Sequence, residues 1–72
     1  MNKQEIKAIT VSYVLDKEIK NGKTHVWRND IYHFMKKLGI NMYNSDFEFL
    51  QKEEFLGHPR KVKGAVQYAL VA

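Results

Sequence analysis

Apolar residues recur along this chain with helical spacing in three stretches and with alternating spacing near its end. Between Lys3 and Lys20, Ile6, Ile9 and Tyr13 make one stripe, and Ala8, Val11, Leu15 and Ile19 an adjoining one. That spacing predicts a helix whose apolar face is broad enough to touch core on two sides. Asn2, with Glu5 three residues later, reads as its capping pair, and Asn21-Gly22 as its end, with Gly22 the left-handed residue. Thr24, His25, Val26 and Trp27 then read as a short strand that must pair with something later in the chain. Ile31, Phe34, Met35 and Leu38 follow i, i+3, i+4, i+7 and predict a second helix over 30–38, capped by Asn29 and closed by Gly39. Ile40 would fold back on Met35 as the apolar contact of that helix end.

Asn41 to Asn44 reads as a turn. Ser45 and Glu48 form the capping box of a third helix, with Phe47 and Leu50 facing inward. Its end is open on the pattern. It either runs to Leu56 with Gly57 after it, or stops near Lys52 and leaves Glu54, Phe55 and Leu56 to a strand. His58-Pro59-Arg60-Lys61-Val62-Lys63-Gly64 is no helix interior and reads as a loop with a turn at Gly64. From Ala65 to Val71, Val66, Tyr68 and Leu70 share one face while Gln67 turns away, which predicts a strand. A C-terminal helix competes, because Ala and Leu are good helix formers.

Composition bounds what such a set of elements can be. The 72 residues suit one domain, 1–72, and at 44% hydrophobic and 28% charged the chain reads as globular. A core of this size rarely supplies more than about 3–5 kcal/mol. There is no cysteine, which removes disulfides, thiolate metal sites and cysteine nucleophiles, so a partner or a self-dimer would be the way to add stability. No apolar run nears the roughly 18 residues of a membrane span, and the charged N-terminal stretch is not a signal sequence, so the chain reads as soluble and cytoplasmic.

The order helix, short strand, helix, helix, hairpin resembles that of a winged helix-turn-helix domain over about residues 3–71. The resemblance implies an α+β fold of three helices with a small antiparallel sheet and a C-terminal hairpin. It further implies that the third helix enters the DNA major groove and that the hairpin is a wing touching backbone or minor groove. Small, lysine-rich proteins of this build also look like accessory products of phages and mobile elements, and the frequent Lys, Asn, Ile, Tyr and Phe suggest an AT-rich coding genome.

Charge modifies that expectation. The net charge is +4, yet the third helix carries Asp46, Glu48, Glu53 and Glu54 against Lys52 alone. A helix with that many carboxylates is badly suited to a groove lined by phosphate. The segment after it holds Arg60, Lys61 and Lys63 within four positions and is the better nucleic-acid contact, with Arg28 and Lys23 as secondary contacts. Trp27, Tyr43 or Tyr68 would stack on an unpaired base where exposed, although Trp27 weighs more toward a core role. The reading is a non-enzymatic accessory protein that holds nucleic acid, DNA before RNA, by its backbone or as a single strand. The alternative is a docking subunit of a larger replication or transcription protein, with Tyr43, Asp46, Phe47, Glu48 and Glu53 as its interface. The chain would act as a monomer or as a homodimer.

Other chemistry finds little support. His25, His33 and His58 are far apart and make no i,i+4 pair, so neither a metal nor another cofactor is expected. Ser12 is mid-helix, Ser45 reads as a cap, and no glycine-rich phosphate loop is present.

Overall fold

The computed structural model describes residues 2–71. Its elements are α1 (Lys3–Lys20), β1 (His25–Trp27), α2 (Arg28–Lys37), α3 (Asn44–Lys52), β2 (Leu56–Val62) and β3 (Ala65–Leu70). The fold is α+β, with three helices and one antiparallel sheet in the order β1-β3-β2. β3 is the central strand because it leaves the hairpin with β2 and also receives β1, with Val26 opposite Tyr68 and Trp27 opposite Gln67.

All three helices end in the same way. Glycines at φ +83 (Gly22) and φ +78 (Gly39) close α1 and α2, and Lys23 and Ile40 then donate back to the Glu18 and Met35 carbonyls at 3.1 and 3.0 Å. These are Schellman ends, which occupy carbonyls that the last turn leaves free. α3 closes identically, with Phe55 N–H donating to the Leu50 carbonyl at 2.8 Å, but its left-handed residue is Glu54, at φ 61. The helix stops at Lys52, Glu54 and Phe55 form its closing turn and not the expected strand, and β2 takes Leu56 and Gly57. A Cβ on Gly57 would lie 2.8 Å from the Ala69 Cβ, so the glycine is needed for two strands to approach.

The helix starts match the sequence expectation only once. The Asn2 side chain accepts from Glu5 N–H at 2.8 Å, as the capping pair requires. α2 begins at Arg28, directly after the strand, so Asn29 lies inside its first turn and caps nothing. Pairing with β3 already holds Trp27 extended, and the chain turns helical at the next residue. α3 begins at Asn44 instead of using Ser45 and Glu48. Asp46 supplies the reciprocal half of the capping box, accepting from Tyr43 N–H at 2.9 Å.

The segment expected as a loop is mostly strand. Arg60 and Lys61 pair with Gln67 and Val66, and only Lys63 and Gly64 turn, at φ 51 and φ 82. Two consecutive left-handed residues make the tight turn whose twist matches a hairpin. Pro59 is tolerated because β2 is an edge strand and its register shifts between Leu56 and Pro59.

The core draws on every element: Val11 and Leu15 from α1, Ile31 and Met35 from α2, Leu50 from α3, and Tyr68 from β3 are all buried. The α1 stripe of Ile6, Ile9 and Tyr13 is not part of it. Ile6 is 51% exposed, Ile9 37% and Tyr13 80%. A single layer of helices on a single sheet covers one face of α1, and the other is bordered only beside Ile9 and Tyr13, by Phe49 and Phe55.

Replacing Glu54 by glycine should raise stability by about 0.5–1 kcal/mol, because relief of a left-handed side chain outweighs the added freedom of the unfolded glycine. The Gly57→Ala change should lower it by about 1–3 kcal/mol through the clash with Ala69. Urea midpoints at constant slope report both.

Candidate nucleic-acid interface

The first turn of α3 is fixed from outside. Lys7 Nζ on α1 donates to Asp46 Oδ2 at 2.8 Å and to the Asn41 carbonyl at 2.8 Å, and lies 4.9 Å from the Tyr43 ring centre. Asp46 is thus 5% exposed, holding Lys7 with one oxygen and capping its own helix with the same atom. One position on, Phe47 is buried and stacks on Tyr68, with centroids 5.9 Å apart and planes 2° from parallel. The Arg28 guanidinium lies 4.4 Å from the Phe47 ring centre and donates to the Asn44 Oδ1. A cation over an aromatic face is attracted by the ring quadrupole. Arg28, at the start of α2, is thereby carried across to α3.

This arrangement leaves a groove of about 480 Å³ between α3 and the β2–β3 hairpin. Arg28, Arg60 and Lys61 line it, with Asn44, Glu48 and Gln51 on the helix side. The register explains Lys61: it sits opposite Val66, on the sheet face shared with Tyr68, and so turns toward α3. Arg60 points to the other face, where its Nε donates to Gln67 Oε1 at 2.9 Å. The Lys61 and Arg28 side chains therefore face a groove that holds one carboxylate, Glu48, while Arg60 lines its edge with its guanidinium held on the opposite sheet face.

The acidic count of α3 does not fall on this groove. Asn44, Phe47, Glu48 and Gln51 follow i, i+3, i+4, i+7 and make up its groove face. Asp46 is turned to α1, and Glu53 and Glu54 lie past the last helical residue. The charge argument against α3 holds for Glu48 alone.

The sequence-derived residues divide accordingly. Arg28 and Lys61 come together, Arg60 lines the groove's edge from the opposite sheet face, and Lys63 sits at the exposed tip of the turn beyond the groove. Lys23 does not join them. Its Nζ is 2.7 Å from Glu18 Oε2, and the hydrogen bond and charge of that carboxylate raise its pKa above the ordinary 10.5. Of the five expected docking residues, Tyr43, Glu48 and Glu53 are exposed, while Asp46 and Phe47 are buried and offer a partner nothing. Asn44 and Gln51 were missed, although their helical spacing with Glu48 was a usable signal. His25, His33 and His58 lie on β1, α2 and β2, and among the described residues no three possible metal ligands converge. No helix among those residues is long and apolar enough to cross a membrane.

Burial raises the Tyr68 hydroxyl above its ordinary value of 10.0, with the nearby Arg28 charge working against the shift. The raised folded pKa means that the unfolded chain loses this proton first. Tyr68 therefore contributes stability that is whole below about pH 10 and is lost as pH rises toward the folded value. The alkaline limb of a stability–pH curve should flatten in Tyr68→Phe. Compared with protein families, curated proteins and solved structures, the chain matches none.

Proposed function

We propose that this chain is a non-enzymatic, winged-helix-like protein that binds nucleic acid, DNA first, along the phosphate backbone through the groove between α3 and the hairpin. One observation carries the reading: Arg28 and Lys61, from two distant parts of the sequence, face the same groove, with Arg60 at its edge. The element order and the hairpin beside the last helix support the winged-helix likeness. Lys and Arg at such a surface gain affinity by releasing counterions from phosphates, a term that carries little sequence information. Asn44 and Gln51 add hydrogen-bonding groups, and Glu48 keeps a phosphate on the hairpin side. A cytoplasmic, accessory role in replication or transcription belongs to the same proposal.

A docking role is the second reading, on a surface that shares only Glu53 with the one the sequence suggested. Ile9, Tyr13, Phe49 and Phe55 line two adjoining hollows between α1 and the end of α3, bordered by Glu5, Asp16 and Glu53. Its charge complement is a basic segment of a larger protein with apolar anchors.

Fluorescence anisotropy on labelled single- and double-stranded oligonucleotides across a salt series separates the two. Lys61→Gln should weaken binding for all sequences alike and reduce the salt slope by about one. Lys63→Asn tests the tip while keeping a residue that tolerates left-handed backbone. Lys23→Gln, already paired with Glu18, should change neither affinity nor slope. Absence of binding at low salt would overturn the nucleic-acid reading and leave the α1 surface.

A further inference from the structure

A second cleft, of about 640 Å³, adjoins the groove and shares Arg28, Asn44, Phe47 and Val66 with it. It lies where β1 passes into α2, and its own walls are Trp27, Tyr32, Met42 and Ala65, with Asn29 and Asp30 at the polar side. Its volume is within the about 300–1,000 Å³ of pockets that hold small ligands. We propose that this cleft takes an unpaired nucleobase from the strand whose phosphates lie in the groove, an inference that rests on the backbone reading above.

The chemistry of the walls carries it. Trp27 and Tyr32 offer aromatic surface, and stacking on such surface tolerates any base. The amides of Asn29 and Asn44 both donate and accept, and the Asp30 carboxylate accepts, so the edge of a base finds partners of both kinds. Arg28 stands at the shared wall, where a base in the cleft and a phosphate in the groove would meet. It is already held by Phe47 and Asn44, so little side-chain freedom is lost on binding. A base inside a duplex must first be unstacked and unpaired, so the cleft selects for single strands, ends and junctions.

Trp27 is the sole tryptophan and reports directly on the cleft. Its emission should be quenched as a single-stranded oligonucleotide saturates the protein. An oligonucleotide of abasic residues of the same length should bind about tenfold more weakly, with little quenching. Tyr32→Leu should cost single-strand affinity by about the same factor and leave double-strand affinity unchanged, and the abasic comparison stands even if that variant folds poorly. Anisotropy that reports binding with Trp27 emission unmoved, or an abasic strand bound as tightly as the normal one, would overturn the cleft and spare the groove. Quenching by adenosine monophosphate but not by the oligonucleotide would overturn it in favour of a free-nucleotide site. No binding of any of these ligands would end both readings together.

Discussion

Phe47 joins the core to the candidate site. Its ring stacks on Tyr68 of the central strand and takes the Arg28 guanidinium, which is also tied to Asn44. An aromatic pair is worth about 0.5–1.5 kcal/mol beyond the area it buries, a large share where the whole core rarely supplies more than about 3–5 kcal/mol. The packing that holds α3 to the sheet is therefore the same packing that aims Arg28. Stability and the position of the leading cation are not separable at this residue.

The pairing of Lys7 with Asp46 sets the other end of the arrangement. A pair of this kind adds little net energy, since both charges lose water, but loss of one partner from a fully buried pair costs about 3–5 kcal/mol. Here Lys7 keeps 21% of its side chain exposed, which softens that cost. What the pair does provide is direction. It anchors α3 to α1 at its first turn, which turns Asn44, Glu48 and Gln51 toward the hairpin and leaves α1 with an uncovered outer stripe.

What could be read from the sequence was mostly local. The Asn2–Glu5 cap and the glycine-closed ends of α1 and α2 depend on residues a few positions apart, and periodicity plus glycine placement suffices to find them. The start of α3 could not be read so, because Asp46 caps the helix while paired to Lys7, 39 residues away. Arg60 and Lys61 looked like loop because β2 is an edge strand whose residues are largely exposed, and its polar pattern is that of an unstructured segment. The two stripes of α1 were visible, but periodicity does not say which one the sheet and the other helices will cover. The candidate cations were legible as residue types. Their convergence was not, since it depends on a cation–aromatic contact from α2 to α3 and on the β2–β3 register.

Placement and charge together describe a groove faced by two cations, with Arg60 at its edge, one carboxylate and an aromatic cleft at its side. The claim that this groove is where nucleic acid lies is tested most directly by following backbone amide shifts during titration with a single-stranded oligonucleotide. The account predicts that the largest shifts cluster at Arg28, Asn44, Gln51, Lys61 and Val66, with the outer face of α1 unaffected. Shifts gathered at Ile6, Ile9 and Tyr13, or none at a saturating concentration, would contradict it.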